Sequence, residues 1–133
     1  LLDDGVPLLI FPEGTRSRTG AMAKFKAGVA ALSIQHGVPV LPMALVGAYA
    51  AMPYGQKLPV PGRPDVHIVF GHPLRALPRE TVPRFTERLY NQVVELHDTT
   101  ARAYGMPTQS DFQRSVALRA AAKKKAELPP AEE

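Results

Sequence analysis

The sequence predicts a mixed α/β fold in which helices cover a sheet of parallel or mixed strands. Three observations predict it. Short apolar runs stand between glycines and prolines, longer stretches repeat their apolar residues every three or four positions, and the two kinds of segment alternate. With 133 residues, 45% of them hydrophobic and 21% charged, the chain is long enough for one domain with its own core.

Three segments are predicted as strands. Residues 6–11 form an apolar run between a glycine and a proline, which is typical of a buried strand. Residues 38–46 form a second apolar run, whose two prolines place it near a sheet edge or make its first half irregular. Residues 65–71 alternate in side-chain direction, with Val66, Ile68 and Phe70 on one face.

Three segments are predicted as helices. Residues 24–36 carry apolar side chains at helical spacing and end at Gly37, and residues 80–104 carry a longer apolar stripe. Ser110 and Gln113 predict a capping box that starts a last helix over 110–127, with a thin apolar face. Residues 47–64 are predicted as loop and 128–133 as disordered.

Residues 27–56 contain no Asp, Glu, Lys or Arg, a length that could span a bilayer. Near its middle, however, this stretch holds Gln, His, Gly and two prolines, which would leave backbone groups unpaired in lipid. We therefore interpret it as helix, turn and strand, and predict no transmembrane segment.

The loop after the first predicted strand, within "LIFPEGTRSRTG", concentrates groups that suit a phosphate. Arg16 can hold two phosphate oxygens with its planar guanidinium, and Lys24 or Lys26 can add a point charge. Gly14 permits a sharp turn, while Glu13 is expected to accept hydrogen bonds from loop amides or to hold an arginine. On residue types alone, a solvated surface turn explains the loop equally well.

The string "FPEGTRS" at residues 11–17 resembles the signature of the glycerolipid acyltransferases, a family that includes 1-acylglycerol-3-phosphate acyltransferase. Further along, "KFKAG" (24–28) resembles a helix start of that family and "VPVLPMAL" (38–45) resembles a later block. The resemblance implies that an acceptor phosphate is bound by Glu13, Gly14, Thr15, Arg16 and Ser17 with Lys24 and Lys26. It also implies that the acyl-donor side is lined by Val38, Pro39, Val40, Leu41 and Pro42.

The reaction that the resemblance implies is transfer of a fatty acyl group from acyl-CoA or acyl carrier protein to 1-acylglycerol-3-phosphate, which gives phosphatidic acid. The acyl thioester is a co-substrate, and no cofactor is expected. We expect peripheral contact with a membrane at its cytoplasmic face and no nucleic-acid partner. Residues 1–105 are predicted to be the C-terminal portion of the acyltransferase domain, and 106–133 a basic helical or disordered tail.

The family's catalytic His-x-x-x-x-Asp block is absent from this chain. The residues five positions after the four histidines are Leu41, His72, Leu77 and Arg102. Because the chain opens almost inside a predicted strand, we expect a piece cut from a longer enzyme, inactive alone, rather than a degenerate paralogue. There is no cysteine and no Gly-x-Ser-x-Gly elbow, and the histidines lack metal-ligand spacing, so we predict no thiol or serine nucleophile and no metal.

A non-catalytic module that binds anionic phospholipid or phosphate is the alternative. The net charge is +4, and basic residues cluster at Arg16 and Arg18 and again at 123–125. A basic excess suits phosphate, anionic lipid or nucleic acid without choosing among them. Nucleic-acid binding would want aromatic side chains interleaved with the bases, and only Phe25 is placed that way.

Overall fold

A computed structural model describes residues 1–58, 61–62 and 64–130. In chain order the elements are α1 (Gly28–His36), β1 (Met43–Val46), α2 (Ala48–Ala51), β2 (His67–Phe70), α3 (Val82–Ala103) and α4 (Gln109–Glu127). Helix α3 packs against the two-stranded sheet and contacts α1 and α4, while α2 is a single turn. The mixed α/β class is therefore confirmed.

The sheet that the structure shows is antiparallel, so a parallel sheet is not present in the described residues. β1 pairs with β2 from Met43 opposite Phe70 to Val46 opposite His67. An isolated antiparallel bridge between Val40 and Leu74 continues the pairing beyond β1. The second predicted strand (38–46) is thus confirmed in its last four residues, and the third (65–71) is confirmed in its central part.

Residues 6–11 are not a strand in the structure, and this prediction is wrong. The segment carries no ladder hydrogen bonds, and its side chains are exposed, Leu9 by 71% and Phe11 by 63%. An apolar run becomes a strand only where a neighbouring strand supplies hydrogen-bond partners. Within the described residues no strand lies beside this segment, so its backbone makes no ladder hydrogen bonds.

Helix boundaries differ from the predicted ones where a specific contact decides them. α1 begins four residues later than predicted, because the Lys26 amide donates to the Pro12 carbonyl (2.9 Å) and not within a helix. α3 starts after Thr81, whose side chain accepts from the Arg84 amide, and its proline lies in the first turn as predicted. The turn α2 lies in the predicted loop 47–64 and was missed.

α4 begins with a capping box, but other residues form it than predicted. The Thr108 hydroxyl accepts from the Asp111 amide, while the Asp111 carboxylate accepts from the Thr108 amide. Ser110 and Gln113 are exposed within the first turns instead. The thin apolar face is confirmed, since Gln109 is the one buried residue of α4. Of the predicted disordered stretch 128–133, residues 131–133 lie outside the described residues.

The core forms where α1 meets α3. Ala30, Phe85 and Leu89 are buried there, with Phe85 fully enclosed. Phe25 packs edge-on against Tyr90 of α3, with the two ring centroids 5.2 Å apart. This core fixes α1, and thereby the loop that precedes it, against the longest helix. Within the described residues, no helix is long and apolar enough to cross a membrane.

Candidate functional site

The loop between residues 12 and 26 is closed at its base by backbone and carboxylate contacts. A turn links the Gly14 amide to the Phe11 carbonyl at 3.0 Å, and Gly14 has a φ of +77°. The Glu13 carboxylate accepts from the Ala23 amide at 2.9 Å, which ties the two limbs of the loop together. Glu13 therefore acts within the loop, where its charge is partly satisfied by a backbone donor.

Ser17 organises the far end of the loop. Its hydroxyl accepts from the Gly20 amide at 2.9 Å and from the Thr19 amide at 3.3 Å. The same hydroxyl donates to the Ala21 carbonyl at 2.7 Å. With its hydroxyl used in this way, Ser17 shapes a turn and is half-buried beneath the exposed basic residues.

Cationic side chains surround this loop. Lys26 extends over Gly14: a Cβ added at position 14 would lie 2.6 Å from the Lys26 ammonium nitrogen. Arg16 is exposed and uses one guanidinium nitrogen, Nη1, to donate to the Gln56 carbonyl at 3.3 Å. Arg18 stands 5.1 Å from the centre of the Tyr54 ring, a cation–π geometry. Lys24 and Thr15 are exposed.

An apolar cleft of about 510 Å³ adjoins the loop. One wall is the extended segment 6–11 and another is the segment 38–45, so all five predicted donor-side residues line it. Glu13, Thr15 and Lys26 also line it, whereas Gly14, Arg16, Ser17 and Lys24 do not. The structure therefore brings the two predicted groups of site residues together around one cleft, with the remaining loop residues outside it.

Two histidine–aspartate contacts exist that sequence spacing did not reveal. His36 Nδ1 lies 2.8 Å from Asp3, and His97 Nδ1 lies 3.1 Å from Asp98. His36 ends α1, about 12 Å along the helix axis from the loop end. His97 is buried and lies against the Phe112 ring. A general base must reach the proton it removes, and neither His36 nor His97 lines the apolar cleft beside the loop.

The first turn of α4 reaches the loop, a contact that sequence reasoning missed. Gln109 Oε1 accepts from the Met22 amide at 2.6 Å, and the Phe112 ring lies against Gly20. The separation in sequence is 87 residues, so local patterns could not reveal it.

A family model described as Acyltransferase matches residues 1–46, which include the loop, α1 and β1. A 1-acyl-sn-glycerol-3-phosphate acyltransferase of Pseudomonas aeruginosa is 54% identical over 43 residues, 32% of this chain and 17% of that protein. One from Chlamydomonas reinhardtii is 46% identical over 57 residues, 43% of this chain and 17% of that protein. The alpha form of Ovis aries is 29% identical over 94 residues, 71% of this chain and 33% of that protein.

The chain thus spans a third or less of the length of these relatives. No solved structure matches it significantly. A bacterial, an algal and a mammalian 1-acyl-sn-glycerol-3-phosphate acyltransferase nevertheless agree with the family model in the kind of protein that they indicate. Residues 1–46 therefore match the acyltransferase family, and the chain is similar to 1-acyl-sn-glycerol-3-phosphate acyltransferases over 43 to 94 residues.

Proposed function

We propose that this chain supplies the acceptor-binding part of an enzyme that transfers a fatty acyl group to 1-acylglycerol-3-phosphate. The donor is acyl-CoA or acyl carrier protein, and the product is phosphatidic acid. Arg16 binds the acceptor phosphate, Lys26 or Lys24 assists, and Glu13, Gly14, Thr15 and Ser17 shape the loop. Residues 38–42 line the side of the acyl donor.

One observation carries this proposal: the Lys26 ammonium lies over Gly14, in a loop whose only acid is already tied to an amide. Because the Glu13 carboxylate accepts from Ala23, it leaves the basic groups available for an anion. Arg16 commits only Nη1 to Gln56 in the described contacts, so its other nitrogens can donate to phosphate oxygens. Such charge-assisted hydrogen bonds are the strong ones.

The adjoining cleft supports the rest of the assignment. Its walls are mainly aliphatic, and it meets the loop at Glu13, Thr15 and Lys26. A lysophospholipid and an acyl thioester each combine a charged end with a hydrocarbon chain. A basic loop beside an apolar cleft matches that combination, since hydrocarbon gains free energy by leaving water.

The acyl-transfer step itself needs a base that we do not find in the described residues. Neither His36 nor His97 lines the apolar cleft beside the loop. We therefore propose that the 133-residue chain binds acceptor but transfers no acyl group alone. Acyl transfer from acyl-CoA to lysophosphatidic acid by the purified chain would contradict this part of the proposal.

The direct test is binding of glycerol 3-phosphate to the purified chain, followed by calorimetry or by NMR shifts of the loop amides. Glycerol is the matched ligand, because it lacks only the phosphate. We expect glycerol 3-phosphate to bind and glycerol not to bind. Arg16→Ala should weaken binding by about 1.5–3 kcal/mol, roughly 10- to 150-fold.

Arg119→Ala is the matched control variant, since this arginine is exposed on α4, away from the loop. It removes the same charge from the molecule, and we expect binding to stay unchanged. Equal affinity of Arg16→Ala and the unaltered chain for glycerol 3-phosphate would show that the assignment of Arg16 is wrong. Equal weakening by both variants would mean that only the net charge matters.

We also propose peripheral contact with an anionic membrane. The contact between α4 and the loop determines which variants can test it. Deleting residues 110–133 would remove the Phe112 ring from the loop together with the lysines at 123–125. Replacing those three exposed lysines with glutamine leaves the first turn of α4 intact. Sedimentation with phosphatidic acid vesicles then separates binding through the tail lysines from binding through Arg16 and Arg18.

A further inference from the structure

The first turn of α4 contacts the motif loop through a buried side chain. Gln109 is only 4% exposed, although glutamine is mostly found at protein surfaces. Its Oε1 accepts from the Met22 amide at 2.6 Å, and its Nε2 makes a long contact of 3.5 Å with the Gly20 carbonyl. The buried side-chain amide of Gln109 therefore contacts both a backbone donor and a backbone acceptor of the loop.

Gln109 is itself held in place. Its backbone amide donates to Asp98 Oδ1 at 2.8 Å, and the same oxygen lies 3.1 Å from His97 Nδ1. The capping box of Thr108 and Asp111 fixes the helix start immediately before it. Because its backbone is held by α3 and by the cap and its side chain is buried, Gln109 has little freedom to follow a moving loop.

Aromatic contacts close the space around this amide. The Phe112 ring lies so close to Gly20 that any side chain at position 20 would collide with it. Phe112 also packs edge-on against Tyr49 of α2, with ring centroids 5.9 Å apart. From α3, the Tyr90 hydroxyl donates to the Met22 carbonyl at 3.4 Å. Met22 is thereby held at both of its backbone polar groups.

The contacts continue from Met22 to the basic part of the loop. Met22 is followed by Ala23, whose amide donates to the Glu13 carboxylate. Glu13 in turn precedes Gly14, over which Lys26 extends. A displacement of Met22 would pull Ala23 from Glu13 and so release the limb of the loop that carries Gly14 and Arg16.

We infer that Gln109 is a positioning residue, which holds the loop 12–26 in its anion-binding shape from the start of α4. The part of this inference that concerns the anion rests on the proposed function. The family model ends at residue 46, so it does not include this residue. From the sequence, residues 106–133 are interpreted as a separate tail. On this inference, the first part of that segment contains Gln109, which supports the loop.

Gln109→Met is the decisive variant, because methionine keeps the length of the side chain and removes both polar groups. We expect hydrogen exchange at the Met22 amide to rise about tenfold, as the loss of one buried hydrogen bond implies. Affinity for glycerol 3-phosphate should fall by a similar factor. Amide exchange within α3 should stay unchanged, which shows that the core remains folded.

Gln109→Glu and Ser110→Ala complete the design. The glutamate keeps an oxygen acceptor for the Met22 amide, so protection of that amide should be largely retained. Ser110 is the exposed neighbour of Gln109 and lies outside the observed capping box, so its alanine variant should match the unaltered chain. If Gln109→Met does not fold, Gln109→Glu is the fallback: it loses the donor to the Gly20 carbonyl but keeps the acceptor for the Met22 amide, so fast exchange at Met22 in this variant would overturn the inference.

The outcomes separate the two proposals. Unchanged Met22 exchange in Gln109→Met would overturn the inference, whatever the ligand does. Faster exchange with unchanged affinity for glycerol 3-phosphate would overturn the positioning role and leave a merely structural contact. A third outcome is faster exchange in Gln109→Met together with unchanged glycerol 3-phosphate binding in Arg16→Ala. That result would contradict the proposed function, while the contact of Gln109 with the loop would remain supported.

Discussion

Three glycines of this chain differ in backbone conformation and in the space around them, and Gly14 is constrained in both respects. Its φ of +77° lies in the left-handed region, and the Lys26 side chain occupies the space where a Cβ would stand. Gly5 shares the φ of +77° but has open space around it, whereas Gly28 has neither constraint. The three positions therefore separate backbone strain from loss of the Lys26 contact.

Gly14→Ala should weaken glycerol 3-phosphate binding about tenfold or more, because its Cβ would displace the Lys26 ammonium and remove a charge-assisted contact of about 1.5–3 kcal/mol. Calorimetric titration measures the effect. Gly5→Ala should carry the same strain without a loss of affinity. Gly28→Ala should leave affinity unchanged and stabilise α1 slightly. Similar losses in all three would show that the loop is not specific.

Helix α3 is stabilised in two ways, by a buried face and by an ion pair at its start. Its buried face contributes Phe85 and Leu89 to the core, while its start is held by an ion pair. Arg88 reaches back to Glu80 with two nitrogens, at 3.0 Å and 2.8 Å. This hydrogen-bonded guanidinium, helped by the Leu77 amide, holds the pKa of Glu80 below its ordinary value.

Phe85→Ala should lower the free energy of unfolding by about 3–5 kcal/mol, because Phe85 is fully buried where α1 meets α3. Urea denaturation monitored by circular dichroism measures it. Phe70→Ala is the matched control, since Phe70 is 59% exposed on β2. Its loss should be about 1 kcal/mol or less. Comparable losses would mean that the core lies elsewhere.

The start of α3 also predicts a pH dependence. Hydrogen bonds from Arg88 to Glu80 and from Thr108 to Asp111 lower the pKa of both carboxyl groups. A carboxyl group with a lowered pKa in the folded state stabilises the fold above its unfolded pKa. That contribution is lost as pH falls through the folded value. Stability should therefore decrease as pH is lowered below about 4.5, the ordinary value of Glu80.

Glu80→Gln should be less stable than the unaltered chain at pH 7, with a smaller decrease between pH 5 and pH 3. Thermal unfolding across this range measures both. Glu87→Gln is the control, because Glu87 is an exposed glutamate on the same helix. If its pH profile equalled that of Glu80→Gln, the ion pair would not be the cause.

At the scale of the molecule, local chemistry was predictable and pairing was not. Helix stripes, Pro83 in the first turn of α3 and the strand at β2 follow from patterns within a few residues of each other. The failure at residues 6–11 and the contact of Gln109 with Met22 both depend on distant partners. Sequence reasoning found the basic loop through its motif, but nothing local in the sequence indicated that α4 supports it.

One face of the sheet is left uncovered by the residues that the structure describes. Leu45 and Ile68 are direct partners across β1 and β2, exposed by 41% and 59%, and residues 6–11 add further exposed apolar surface. Such a patch exceeds what scattered surface residues normally produce.

The chain should therefore bind the dye ANS in its folded state, and Ile68→Lys should reduce the fluorescence. Leu118→Lys introduces the same charge at a residue of α4 that is similarly exposed, by 65%, away from the sheet. We expect this control to change the fluorescence little. Equal reductions would attribute the signal to overall charge, whereas no reduction by Ile68→Lys would place the dye elsewhere.

The length of α4 separates its lysine cluster from the end of the helix that contacts the loop. Fourteen residues separate Gln109, beside the loop, from Lys123, so the lysine cluster stands about 21 Å farther along the helix axis. One headgroup cannot bridge that gap. If both basic regions bind anions, as proposed, they would hold separate ones: a single lipid in solution would occupy one of them, whereas an anionic membrane surface could contact both.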